Sequence, residues 1–304
     1  MKIKTLLTVA TLTVSGFSNA GVENCATGNN LLTPTNFYKP SGYTLQYKQD
    51  GVCLYKKNGV DVYIQLVDLK GGASVNFGTG DFVKRVKLGH KNSRVYQKET
   101  TVSHFGTVDS NNKLFSIVNG QFYGNYEGNA ILSLPVKESS NVISDINDHE
   151  NWINPHSDYF RTLNIFTKSN SWLGKSMVVK PYPYFARDDF NNLPEKAIVG
   201  FHPTKVDKGS YTSRTFVSPL GGTTSPANRE YPLLAFIVTE KSSENYVINE
   251  LKKWGAYEQN IVAFDGGGST QMQAIDGTSY YGISQTATSP DYRPLPMFFE
   301  IYTH

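Results

Sequence analysis

The chain has only two cysteines among 304 residues, so it allows at most one intramolecular disulfide. It has six histidines (His90, His104, His149, His156, His202 and His304), and none falls in an H-E-x-x-H or H-x-H pattern. That spacing argues against a zinc hydrolase, and no metal or other cofactor is expected. No Gly-x-Ser-x-Gly elbow surrounds Ser269, which argues against an α/β-hydrolase triad. The glycine run before Ser269 lacks the lysine of a P-loop. Beyond the first residues no apolar run is long enough to cross a bilayer, so stable membrane insertion is not expected. There is no internal repeat, low-complexity tract or long linker. Nor is there an excess of positive charge. Of 29 Lys and Arg, Lys2 and Lys4 lie in the first twenty residues, leaving 27 against 26 Asp and Glu. Such a balance does not point to a nucleic-acid partner.

The first residues read as an export signal. Lys2 and Lys4 precede the apolar stretch Leu6–Val14, and Ser18-Asn19-Ala20 offers small residues to a signal peptidase. Residues 1–20 are therefore set aside as a leader, and a periplasmic or secreted location is expected. In that setting Cys25 and Cys53 are expected to pair, closing a loop worth about 3–4 kcal/mol in the chain-entropy model. The alternative is two free buried thiols. Residues 21–60 read as an N-terminal arm, and 61–304 as the main domain. An insertion is expected around 141–194, where prolines, asparagines and aromatics dominate.

Strands dominate the main domain. Residues 61–69, 113–118, 196–201, 233–238 and 260–264 are short apolar runs, and 295–302 closes the chain. Runs without polar alternation indicate strands buried on both faces. One helix is well signalled: Ser242-Ser243 can cap it, and Val247, Ile248, Leu251 and Trp254 share a face. Gly255 would end it. The expected class is α+β, a strand-rich mixed sheet core with few helices.

The strongest chemical signal is Asp265-Gly266-Gly267-Gly268-Ser269-Thr270, directly after a buried strand. Three glycines allow backbone amides to converge on an anion, and the two hydroxyls add donors beside a carboxylate. A plain glycine-rich turn is the competing reading.

The stretch from Asn260 to Met272, with Asp265 at its centre, resembles the signature of the phosphodiester glycosidase family. Other segments follow in order. Ser116–Tyr123 resembles a family strand that runs into Asn-Gly-Gly-Phe-Phe. Lys196–Gly200 resembles an Arg-Thr-Ala-Ile-Gly strand. Trp254-Gly255-Ala256 resembles the helix end before the signature, and Asp291–Pro294 resembles a late Arg-Pro step. The likeness spans about Asp61 to His304, with the middle unmatched. Gln121 stands where the family usually has glycine. Lys196 replaces an arginine and cannot offer the same two-pronged fork to a phosphate. Glu240 lies near a position where the family often has aspartate.

The resemblance implies an exported hydrolase of sugar-1-phosphodiester bonds, with a carbohydrate or phospho-sugar substrate. Asp265, with Glu240 second, would stabilise an oxocarbenium-like centre or activate water, and Asn119 would orient the sugar. Gly266, Gly267, Gly268, Ser269, Thr270, Gly120, Gln121, Lys196 and Arg293 would receive the phosphate and substrate. Because a phosphate monoester leaves as a stable anion, preorganised donors matter more than a strong general acid. Two other readings stay open. One is a non-catalytic carbohydrate-binding protein on the same scaffold, which the changes at Gln121 and Lys196 favour. The other is an ordinary glycosidase with two facing carboxylates.

Overall fold

The computed structural model describes residues 21–27, 35–88, 91–108, 113–145, 159–167, 175–181, 190, 192–193, 195–206, 210–220, 233–276, 279–281 and 293–304. The expected leader, much of the expected insertion, and Asp291 and Tyr292 lie outside the described residues.

A large sheet is built from β3 (Tyr43–Gln49), β4 (Val52–Lys57), β5 (Val62–Asp68), β12 (Val136–Glu138), β13 (Asn141–Ser144), β14 (Phe160–Thr167), β15 (Lys175–Pro181), β16 (Lys196–Phe201), β17 (Thr212–Leu220), β18 (Leu233–Ser242) and β19 (Val262–Ala263). Its order is β13-β12-β16-β19-β17-β18-β5-β4-β3, with β14 also on β16 and β15 on β14. A second sheet runs β21 (Ser279–Tyr281), β20 (Gln271–Ala274), β9 (Leu114–Asn119), β22 (Met297–Tyr302) and β6 (Ser74–Thr79). A third joins β10 (Tyr123–Tyr126), β11 (Asn129–Leu132), β8 (Lys91–Tyr96) and β7 (Phe82–Leu88). A small pair, β1 (Gly21–Glu23) and β2 (Phe37–Lys39), stands apart. Two α-helices, α1 (Thr101–Val108) and α2 (Glu244–Lys253), and three 3₁₀ turns are described beside the strands, so the chain is strand-rich with few helices as expected; every described strand pair is antiparallel, however, so the sheets are not the mixed ones expected. Neither helix is long and apolar enough to cross a membrane.

The apolar runs are buried on both faces because the large sheet is the middle layer. Along β18, Leu234, Phe236 and Val238 point into a core shared with Phe115, Val118, Met272 and Phe299 of the second sheet. Leu233, Ala235 and Ile237 point the other way, under Val247, Ile248, Leu251 and Trp254 of the helical side. Period-2 alternation therefore sends every residue of the run into one core or the other. In α2, Ser243 accepts a hydrogen bond from the Tyr246 amide at 3.3 Å, and Gly255 follows with φ of 92°. The cap contributes about 1 kcal/mol. Each buried apolar side chain contributes about 1.5–3 kcal/mol, so packing rather than capping holds the helix.

Cys25 and Cys53 form a disulfide, with Cα atoms 5.4 Å apart. The stretch expected to be an arm supplies β3 and β4, and β4 pairs with β5 from Val52↔Val67 to Lys56↔Tyr63. A boundary near residue 60 thus falls inside one hydrogen-bonded sheet. Likewise β13, β14 and β15, from the expected insertion, pair into the large sheet. Composition marked that region as an insertion, and backbone pairing makes its described residues strands of the large sheet.

Candidate functional site

The short strand β19 lies between β16 and β17, where Ala263 faces both Phe201 and Phe216. Beyond it the Phe264 amide bonds Thr215 O at 2.9 Å and the Asp265 amide bonds Gly120 O at 3.2 Å. The chain then leaves the large sheet and enters β20 of the second sheet. Asp265–Thr270 is therefore a bridge between two sheets, anchored at both ends.

Asn119, at the end of β9, is the hub of that bridge. Its Nδ2 donates to Asp265 O at 2.8 Å. Its Oδ1 accepts from Thr215 Oγ1 at 2.6 Å and from the Gln271 amide at 3.0 Å. The side chain is almost fully buried, so its contribution is to hold the loop in place. Gly120 allows close approach of β22, since a Cβ there would lie 3.1 Å from Met297 Sδ. Gln121 is buried too. Its amide donates to Val199 O, and its Oε1 accepts from the Phe122 amide at 2.9 Å. It ties the β9–β10 connection to β16.

Within the loop the backbone is tightly specified. A Cβ on Gly266 would meet Ser213 O at 2.9 Å, and Gly267 has φ of 61°. Both positions need glycine. The Gly266 amide bonds Asp265 Oδ1 at 2.9 Å, which orients the carboxylate and removes that amide from any anion cradle. The Ser269 and Thr270 amides close a 3₁₀ turn onto Gly266 O and Gly267 O, each at 3.2 Å. Among the described residues, the Gly267 and Gly268 amides have no acceptor. Ser269 Oγ and Thr270 Oγ1 are buried and have no hydrogen-bond partner there either. A buried hydroxyl left in that state costs about 1–3 kcal/mol, which is uncommon outside sites that receive another polar group.

Two further side chains converge on the loop. A Cβ on Gly268 would lie 3.8 Å from Arg293 Nη1, so the guanidinium rests against the turn. Its carbon sits 5.4 Å from the centroid of the Tyr123 ring. The Tyr123 hydroxyl donates to Pro294 O at 3.4 Å and lies beside Ser269, without a normal hydrogen bond to its Oγ. Burial pushes the Tyr123 phenol up, Asp265's charge adds to the shift, and Arg293 opposes it. The phenol therefore stays protonated at neutral pH, between a carboxylate and a cation. Gln271 fixes this corner, its Nε2 donating to Arg293 O at 2.8 Å. Tyr123 and Gln271 were not singled out from the sequence. Both lie inside the motif segments Ser116–Tyr123 and Asn260–Met272, and only their contacts with Arg293 in the folded chain mark them.

Two expected site residues stand elsewhere. Lys196 Nζ bonds Val75 O at 2.8 Å, Asn76 Oδ1, and Glu138 Oε1 at 2.8 Å. An ammonium has three protons, and here each has an acceptor on β6 or β12. Lys196 thus ties β16 to β6 and β12. Glu240 stands on β18, where its amide bonds Asp61 O at 2.8 Å, and β17 separates β18 from β19, the strand that leads to Asp265.

Fold and site together define a strand-rich α+β protein with a carboxylate on a glycine loop between two sheets. No protein-family model matches the chain, and no curated protein matches it. Among solved structures it aligns with the catalytic domain of zebrafish N-acetylglucosamine-1-phosphodiester alpha-N-acetylglucosaminidase, auto-inhibited by its pro-peptide. The two are 14% identical, the alignment covers 94% of this chain and 88% of that one, and the TM-score is 0.49.

Proposed function

We propose that the chain is an exported hydrolase of sugar-1-phosphodiester bonds in a glycoconjugate or envelope polysaccharide. One observation carries the reading: an oriented carboxylate, Asp265, shares a glycine loop with buried hydroxyls that have no hydrogen-bond partner among the described residues, and Arg293 rests against that loop. The order of motifs that resembles the phosphodiester glycosidase signature supports it independently.

The geometry of the loop supports the following division of labour. Arg293, the Gly267 and Gly268 amides, Ser269 and Thr270 receive the phosphate and stabilise it as it departs. Asp265 stabilises positive charge at the anomeric carbon or activates the attacking water. Water adds to that carbon, the carbon–oxygen bond to phosphate breaks, and a free sugar and a phosphate monoester leave. Tyr123, kept neutral, is a hydroxyl donor on the phosphate side. Asn119 and Gln121 position the loop and the β9–β10 connection.

The test is release of a phosphate monoester from a hexosyl phosphate methyl ester. Asp265→Asn is expected to be slower by about 10²–10³ with an unchanged melting temperature. Asparagine keeps the size and can still face the Gly266 amide, so folding is a fair control. Full activity in a folded Asp265→Asn would refute this mechanism. Oligosaccharide binding by wild type with no cleavage would instead favour the non-catalytic binding protein.

A further inference from the structure

Arg293 is exposed, on a long stem with many rotamers, and no carboxylate pairs with it among the described residues. Its place against Gly268 and over Tyr123 therefore depends on where its backbone is held.

That backbone is held carbonyl by carbonyl. Arg293 O accepts from Gln271 Nε2 at 2.8 Å, and Pro294 O from the Tyr123 hydroxyl at 3.4 Å. Leu295 exchanges both backbone hydrogen bonds with Glu99, at 2.7 and 2.8 Å, and Pro296 O accepts from the Gly80 amide at 3.2 Å. Two of these anchors, Gln271 and Glu99, lead to one place: the stretch of chain that opens α1.

Gln271 is set by Thr101. An amide side chain presents oxygen or nitrogen to a neighbour according to what its partners demand. Arg293 O only accepts, so the nitrogen has to face it. Thr101 Oγ1 donates to Gln271 Oε1 at 3.3 Å and holds the oxygen on the other side. Thr101 is the first residue of α1 and is fully buried, while Val102 and Ser103 beside it are exposed.

Glu99 is set by His104. Its carboxylate lies 2.9 Å from His104 Nδ1, and His104 Nε2 lies 2.9 Å from Glu300 on β22. The ring also stacks on Phe298 of that strand, with centroids 4.2 Å apart. The start of α1 is thus clamped to the strand that continues from Arg293.

We infer that the first turn of α1 is a positioning device for Arg293: Thr101 acting through Gln271, and Glu99 acting through Leu295 with His104 as its brace, set where the guanidinium meets the phosphate. This rests on the hydrolase reading for the reaction, and on its own account needs only that Arg293 receive a phosphate. Small errors in the placement of such a group are costly, which is why it is held by a rigid support rather than by its own stem.

The test separates the placement of Arg293 from the stability of α1. Thr101→Val keeps the shape and removes the hydroxyl, which frees the Gln271 amide to turn away from Arg293 O. KM for the hexosyl phosphate methyl ester is expected to rise about fivefold with little change in kcat. Affinity for inorganic phosphate, measured by calorimetry, is expected to fall by a similar factor. Thr101→Ser keeps the hydroxyl and is expected to match wild type. Gln271→Met removes the donor itself, so its loss is expected to be larger in the same direction, and it serves if Thr101→Val does not fold. Val102→Gly weakens the same turn on its exposed side and is expected to lower the melting temperature with KM and phosphate affinity unchanged. Wild-type KM and phosphate affinity in folded Thr101→Val or Gln271→Met overturn the inference. So does an equal loss in Thr101→Ser or Val102→Gly, and so does a wild type that binds no phosphate. Phosphate binding that depends on Thr101, without cleavage of the ester, keeps the positioning role and removes only the hydrolase reading.

Discussion

The Asp265 loop and the cluster around Glu250 are both polar groups at the margins of the large sheet, yet they use their hydrogen-bonding capacity in opposite ways. Glu250 on α2 accepts from Lys57 and Lys253 at 2.7 Å each through Oε1, and from Tyr43 at 2.7 Å through Oε2. It fastens the helix to β3 and β4, and its carboxylate has a donor on each oxygen. A similar closure surrounds His104 on α1, whose ring nitrogens lie 2.9 Å from Glu99 and from Glu300. At Asp265–Thr270 the backbone is equally well anchored, but two buried hydroxyls and two amides have no partner among the described residues. A polar cluster whose members match each other stabilises the fold. One that is rigid and unmatched is prepared for a group that comes from outside.

That contrast breaks first at Glu250. Glu250→Ala leaves Lys57 and Tyr43 without their shared acceptor and is expected to cost about 3 kcal/mol, measured by denaturant unfolding. Turnover per folded molecule should not change. Burial opposes ionisation of Glu250, but hydrogen bonds from Lys253, Lys57 and Tyr43 outweigh it, so its pKa lies below the ordinary value of 4.5. A depressed carboxyl contributes its stability above that ordinary value and loses it as pH falls through the folded pKa. Acid unfolding of wild type should therefore show a step below about pH 4.5 that Glu250→Ala lacks.

The His104 cluster gives a slope of opposite sign. Burial disfavours the charged ring, yet hydrogen bonds to Glu300 and Glu99 prevail and raise its pKa above 6.5. Its stabilisation is complete below that value and is lost as pH rises through the folded pKa. The melting temperature should fall over that upper range, and His104→Gln should flatten the fall. A flat wild-type profile would show that the cluster is not ion-paired.

The smallest stability change belongs to the loop. Ser269→Ala and Thr270→Val remove hydroxyls that bond nothing among the described residues, so unfolding free energy should move by less than about 1 kcal/mol, in either direction. Each should nevertheless raise KM for the hexosyl phosphate methyl ester about tenfold. A loss of stability like that at Glu250 would instead class these hydroxyls with the structural clusters.

Much of this was legible before any tertiary structure. The unbroken run Leu233–Val238 announced a strand buried on both faces, and it is one, as the middle layer between two cores. Ser243, the Val247/Ile248/Leu251/Trp254 face and Gly255 specified α2 almost to the residue. The glycines of the Asp265 loop indicated a tight backbone, and Gly266 and Gly267 require it for steric reasons. These signals are local. Each depends on the period of a strand or helix, on a cap, or on the room a missing Cβ leaves, and neighbours in sequence carry that information.

What tertiary structure alone decided is which polar groups are already matched. Lys196 looked like a phosphate ligand until Val75 and Asn76, more than a hundred residues away, took its protons together with Glu138. Asn119 was expected to orient the sugar, and the folded chain bonds its side chain to Thr215, Asp265 and Gln271. Tyr123 acquired its place because β10 carries it under Arg293. A hydrogen bond is directional and saturable, so whether a group is available depends on partners that only the folded chain assembles.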